Sequence, residues 1–258
     1  MPRGGDAGVK PPPFEYHAPT TIEEAISLLT SHEDAKVLAG GQSLVPLLNF
    51  RLARPAHLVD INRVAGLDQI YEHHGGIAVQ ALVRQAAVED SELVARVCPL
   101  LRDAVRLVAH RVIRNRGTVC GSIAHADPAS ELPAVLLALG GTVNAVSWRG
   151  ERVIAASDLF RGVFETSLKP DELLTEAWFP ASPRPFAIFE ESRRHGDFAL
   201  AGVVRAQGRL ALFGVAPTAV LADRSDPTRG LQPSGDLEAT PEFRLHLVRV
   251  LTEKAFAA

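Results

Sequence analysis

Ala39-Gly40-Gly41-Gln42-Ser43 stands between a short apolar strand, Lys36-Val37-Leu38, and an apolar helical run from Leu44 to Phe50. Two successive glycines let the backbone take positive φ and let a bulky group come close. Amides exposed in such a loop, ahead of a helix, make an anion site. No Lys or Arg lies inside the loop, so backbone dipoles would hold the anion. That suits a dinucleotide pyrophosphate better than a transferring phosphoryl group, which wants a lysine and a metal. The competing reading is a plain turn, the commoner meaning of a Gly-Gly step between strand and helix.

A second stretch, residues 114–133, reads as another loop of glycine, small and polar residues feeding a helix. The hydroxyls of Thr118 and Ser122 and the Gly121 amide suit phosphate oxygens, and the carboxylates of Asp127 and Glu131 suit sugar-type hydroxyls. Asp127 precedes Pro128, and such an aspartate commonly just caps a helix. Two such loops, far apart in sequence, could grip opposite sides of one extended ligand.

The elements that must position these loops are legible in outline. Phe14-Glu15-Tyr16 reads as a first strand. Thr20 and Thr21 precede Glu23 and Glu24 at capping-box spacing, with Ile22, Ala25, Ile26 and Leu29 on one helical face. Val37-Leu38 and Leu58-Val59 complete a β-α-β-α-β unit over residues 14–63. A larger unit follows over 64–180. It holds a turn at 73–76, a strand at 77–79, helices at 86–97 and 99–108, and an apolar helix at 132–139. A hairpin around Arg149-Gly150 and a strand at 173–179 close it. The paired His73 and His74 read as turn residues facing solvent. The proline-dense segment 179–185 is a domain boundary. Beyond it come strands near 186–192, 198–205 and 210–215, a polar loop at 223–240 and an amphipathic final helix. Residues 1–13, rich in glycine, proline and charge, read as a disordered leader without the apolar core of a signal peptide.

The 258 residues carry a formal net charge of −3, which argues against binding nucleic acid by phosphate neutralisation. Cys98 and Cys120 make neither a disulfide framework nor a metal-ligand cluster, and no metal site is expected. Cys98, before Pro99, reads as a small buried hydrophobe. No apolar run reaches transmembrane length. The Rossmann glycine fingerprint, the P-loop and the zinc-protease helix motif are all absent, so a dinucleotide here would not be held by a doubly wound domain.

Four motifs occur in order: residues 39–46, 57–63, 114–128 and 193–201. Together they resemble the FAD-binding medium subunit of molybdenum hydroxylases, the carbon monoxide dehydrogenase and xanthine dehydrogenase group, from about Phe14 to the C-terminus. The resemblance implies an α+β chain with a two-subdomain FAD-binding fold of the type shared with p-cresol methylhydroxylase-like flavoproteins, at 14–180. A C-terminal α+β domain at 186–258 follows, shortened by roughly a helix pair. It implies noncovalent FAD, with Ala39, Gly40, Gly41, Gln42 and Ser43, and Thr118, Val119, Cys120, Gly121 and Ser122, around the pyrophosphate and ribityl chain. Glu131, and more weakly Asp127, would meet cofactor hydroxyls, and Leu174 would pack near the adenine. Gln42 cannot form the covalent tether that some flavoproteins of this broad fold make through a loop histidine; His125 is a nearby imidazole. Glu190 stands near where relatives often carry a lysine.

The function implied is electron transfer in the cytoplasm, from iron–sulfur clusters to an external acceptor. The redox chemistry belongs to the flavin, and no side chain of this chain is expected to be catalytic. The [2Fe-2S] clusters would lie on a small partner subunit and the molybdopterin on a large one. Two other classes stay open. A degenerate flavin domain serving as an assembly scaffold would be colourless when pure, and a stand-alone flavin oxidoreductase would turn over substrate by itself.

Overall fold

The computed structural model describes residues 10–258; residues 1–9, most of the expected leader, lie outside it. β1 (Glu15–His17), α1 (Ile22–Ser31), β2 (Ala35–Leu38), α2 (Leu44–Asn49) and β3 (His57–Asp60) form the first unit, a parallel sheet in the order β1-β3-β2. Thr21 caps α1, accepting from the Glu24 amide at 3.1 Å, while the Glu24 carboxylate accepts from the Thr20 amide at 2.7 Å. Ala25, Ile26 and Leu29 are the buried face that this spacing encodes. Leu38 pairs with Asp60. The ends of β2 and β3 therefore lie side by side, and the loop after one meets the 3-10 turn Ile61–Arg63 after the other.

The second unit begins with β4 (Ile70–His73) and β5 (Gly76–Gln80). Then follow α3 (Gln85–Asp90), α4 (Glu92–Val97), α5 (Pro99–Leu107), α6 (Arg111–Arg114), α7 (Val119–His125) and α8 (Glu131–Leu139). The hairpin β6 (Thr142–Ser147) and β7 (Gly150–Ala155), α9 (Ala156–Leu159), the small hairpin β8 (Phe160–Gly162) and β9 (Glu165–Thr166), and β10 (Leu173–Pro180) complete it. Its sheet is antiparallel, ordered β4-β5-β10-β6-β7. Every residue of α8 is buried. It packs on α5 and α7 and, on another side, on the third sheet.

That third sheet is β11 (Ala187–Glu191), β12 (Ala201–Ala206), β13 (Arg209–Phe213) and β14 (Val220–Ala222), antiparallel in chain order, with α10 (Pro241–Ala257) laid on β11 and β12. Buried Arg244 of α10 donates to the Leu200 and Gly214 carbonyls at 2.5 and 3.1 Å and pairs with Asp236. Residues 223–240 carry turns and the isolated bridge Asp223–Asp226, with no helix.

Three departures from the sequence reading have physical causes. Residues 114–133 are not one loop, because α6 ends at Arg114 and α7 occupies 119–125. The Thr118 hydroxyl starts α7 by accepting from the Gly121 amide at 3.0 Å, a cap that needs no acidic third residue. The helix expected at 86–97 is two helices, since Ser91 takes extended backbone and caps α4 through Val94. β4, of which only His73 fell in the expected turn, and β14 were not read as strands, because each has only one buried or half-buried face against a single neighbour.

Candidate cofactor site

The loop at 39–43 is built to leave its donors free. The amides of Gly40, Gly41, Gln42 and Ser43 donate to no protein acceptor among the described residues. Gly40 is buried, and a buried donor is rarely left in that state without a partner to receive it. Gly41 has φ +76°, a conformation that side-chain-bearing residues adopt at a cost. A Cβ on Gly40 would lie 2.4 Å from the Arg116 carbonyl oxygen and 2.8 Å from the Gly117 Cα. The first loop is thus pressed against the turn that leads into α7. Ser43 is exposed, and its hydroxyl makes no helix cap.

Residues from three further elements hold this contact in place. The Asn62 side-chain amide donates to the Ala39 carbonyl at 2.7 Å and to Asp60 at 2.6 Å. Arg84 donates to the Asn62 side-chain oxygen at 2.6 Å and to the Arg116 carbonyl at 2.9 Å. One guanidinium therefore ties the turn after β3 to the turn before α7. Burial would raise the Asp60 carboxyl, but bonds from Tyr16 and Asn62 and the nearby Arg116 charge hold it below its ordinary value. A cavity of about 330 Å³ opens here, lined by the loop 38–42, by Val45, Pro46 and Asn49 of α2, and by Asp60, Asn62 and Arg116. Exposed Arg116 supplies the cation that the loop itself lacks. Asp60 and Asn62 lie inside the motif 57–63, where by themselves they look like turn formers after a strand. Arg116 lies inside the motif 114–128 without an expected role, and Arg84 gave no signal.

The other expected residues lie around α7 and α8. Thr118 is 2% exposed and its hydroxyl is engaged as the α7 cap. Val119 and Cys120 are buried, and the Cys120 thiol donates to the Val79 carbonyl of β5. Burial drives its pKa up, which makes it a packed thiol and not a reactive one. Gly121 and Ser122 are partly exposed, and the Ser122 hydroxyl meets that of Ser130 at 2.8 Å. Asp127 accepts from the Ala129 amide in a local turn. Leu174 is buried in β10 opposite Ala145. Glu131, at the first turn of α8, is buried and makes no ion pair among the described residues. Burial, then the Glu190 charge, pushes its pKa up to about 8.

The match to known proteins covers the same ground. Residues 12–182 match the family described as the FAD binding domain in molybdopterin dehydrogenase. The chain belongs to that family. It is 38% identical to the 6-hydroxypseudooxynicotine dehydrogenase complex subunit alpha of Paenarthrobacter nicotinovorans, over 96% of this chain and 95% of that one. It is also 38% identical to the carbon monoxide dehydrogenase medium chain of Hydrogenophaga pseudoflava, over 81% and 77%. Quinoline 2-oxidoreductase from Pseudomonas putida 86 superposes with a TM-score of 0.90 at 34% identity, covering 96% of this chain and 97% of that one.

An FAD-binding oxidoreductase subunit of this family needs a cradle for a dianionic pyrophosphate. The residues present fit that group. Gly40, Gly41 and Gln42, whose amides are unpartnered among the described residues, line one cavity together with Arg116, and Gly41 has a positive φ. No helix among the described residues is long and apolar enough to cross a membrane.

Proposed function

We propose that this chain is the FAD-binding electron-transfer subunit of a heteromeric molybdenum hydroxylase, passing electrons from iron–sulfur clusters to an external acceptor. The observation that carries the proposal is the row of free amides at 40–43, packed against the turn 116–118. When bound, FAD supplies the redox chemistry. The chain's own groups bind and orient it. The 40–43 amides and Arg116 take the pyrophosphate. Gly121, Ser122 and the Thr118–Cys120 backbone border the same grip, and Glu131 meets hydroxyls of the cofactor, with Asp127 and Leu174 further out.

Support for partner chains comes from the relatives, one named as subunit alpha of a dehydrogenase complex and another as the medium chain of a dehydrogenase. A large molybdopterin-binding subunit and a small [2Fe-2S] subunit complete the enzyme, which works in the cytoplasm. The first two sheets form the two-subdomain flavin fold of the p-cresol methylhydroxylase type, and the third sheet with α10 forms a shortened C-terminal domain. Binding is noncovalent, because position 42 is Gln and His125 is stacked on Phe164, 4.8 Å between ring centres. Acid precipitation of the purified complex tests this. About one FAD per copy of this chain should remain in the supernatant, and a pellet that keeps its yellow colour would overturn noncovalent binding.

A further inference from the structure

The first sheet carries a second cluster, apart from the glycine loop. His17 closes β1, His57 opens β3, and His32 is the C-cap of α1. Glu15 lies beside His57 in the parallel register, and His17 follows it on the same face. The three histidines each offer a ring nitrogen, and these atoms all lie within 4.8 Å of one another. His17 Nε2 and His57 Nδ1 are 3.1 Å apart. The Glu15 carboxylate reaches toward both, 3.9 Å from the first and 3.6 Å from the second. None of the three rings is fully exposed.

We propose that His17, His32 and His57, with Glu15 as fourth donor, form a zinc site that clips β1, α1 and β3 together. Neutral imidazole nitrogens and a carboxylate are a donor set suited to zinc. Tetrahedral zinc with bonds of ~2.0–2.1 Å holds its ligand atoms roughly 3.3–3.4 Å apart, and the His17–His57 pair already stands near that separation. His32 and Glu15 complete the set by turning about their side-chain torsions, which also opens the present stack of rings, 3.9 Å between the centres of His32 and His57. The C-terminal end of α1 carries no basic residue in its last turn. Its free carbonyls therefore favour a cation there. The cluster is separate from the cofactor cavity: none of its four residues lines that cavity, and the length of β3, about 10 Å at ~3.3 Å per residue, lies between His57 and Asp60.

The test uses the full chain, FAD-loaded and stripped of metals with a chelator. Titration with Co2+ should give the intense visible absorption of a tetrahedral site at one equivalent, and Zn2+ should displace it and raise the thermal midpoint. His32→Ala and His57→Ala should each weaken binding by more than roughly tenfold while FAD content stays unchanged. His73→Ala, which alters the exposed His73–His74 pair, should leave binding as it was. Absence of the tetrahedral spectrum, wild-type binding in both His32 and His57 variants, or loss of binding in the His73 variant would each overturn the proposal.

Discussion

A methyl group at position 40 would sit 2.4 Å from the Arg116 carbonyl oxygen, an atom fixed by the backbone and by the Arg84 guanidinium. Neither side can yield without parting the two loops. Gly40→Ala should therefore cost about 1–3 kcal/mol, the usual penalty of overpacking, and should lose FAD while keeping the far-ultraviolet circular dichroism of the wild type. Full FAD occupancy with unchanged stability would show that the loops do not press together. The same residues show how far sequence reading reaches. Ala39 to Ser43 stood out because two glycines interrupt apolar runs. The Asn62, Arg84 and Arg116 framework did not, because its bonds join residues 22 to 32 positions apart. Such contacts leave no periodic trace.

At the scale of elements, α8 is the beam between the second and third sheets. Leu136 is fully buried, and its side chain lies against the Gly141 backbone. Leu136→Ala should destabilise the chain by about 2–5 kcal/mol, the range for truncating a core leucine, read from denaturant unfolding of the FAD-loaded protein. A loss under about 1 kcal/mol would mean that the site collapses around the smaller side chain. α8 was plain in the sequence because nine successive residues are almost all apolar, and the α1 cap because Thr21 and Glu24 have the spacing of a capping box. α7 was hidden. Its Gly121 and small side chains look like loop composition, and what makes them helical is burial of Val119, Cys120 and Ile123 against the second sheet.

For the whole molecule, the contact between the second unit and the third sheet should respond to pH. Burial lifts Glu190 on β11 to about 7 and, with the Glu190 charge added, lifts Glu131 on α8 to about 8. The ordinary value is 4.5. Between the ordinary and the raised values the folded chain holds more protons than the unfolded one, so stability falls as pH rises through that window. His125, held low by burial, works in the opposite sense. The difference between wild type and Glu131→Gln isolates the carboxyl. In the apoprotein, the advantage of Glu131→Gln in thermal midpoint should grow from about pH 5 to about pH 8; a constant difference would mean that Glu131 titrates normally. Much of the architecture was visible from four ordered motifs, but not this contact, which depends on how β11 meets α8.

In the proposed function, electrons leave the assembled enzyme through the FAD held on this chain. The direct measurement is anaerobic stopped-flow absorbance of the complete complex, before and after its FAD is removed, with the organic substrate added in excess. Removal should abolish reduction of the external acceptor and leave substrate-driven bleaching of the iron–sulfur absorbance at its original rate. Full activity should return when FAD is added back. If flavin removal stopped the bleaching as well, or left acceptor reduction intact, the proposed place of this chain in the electron path would be wrong.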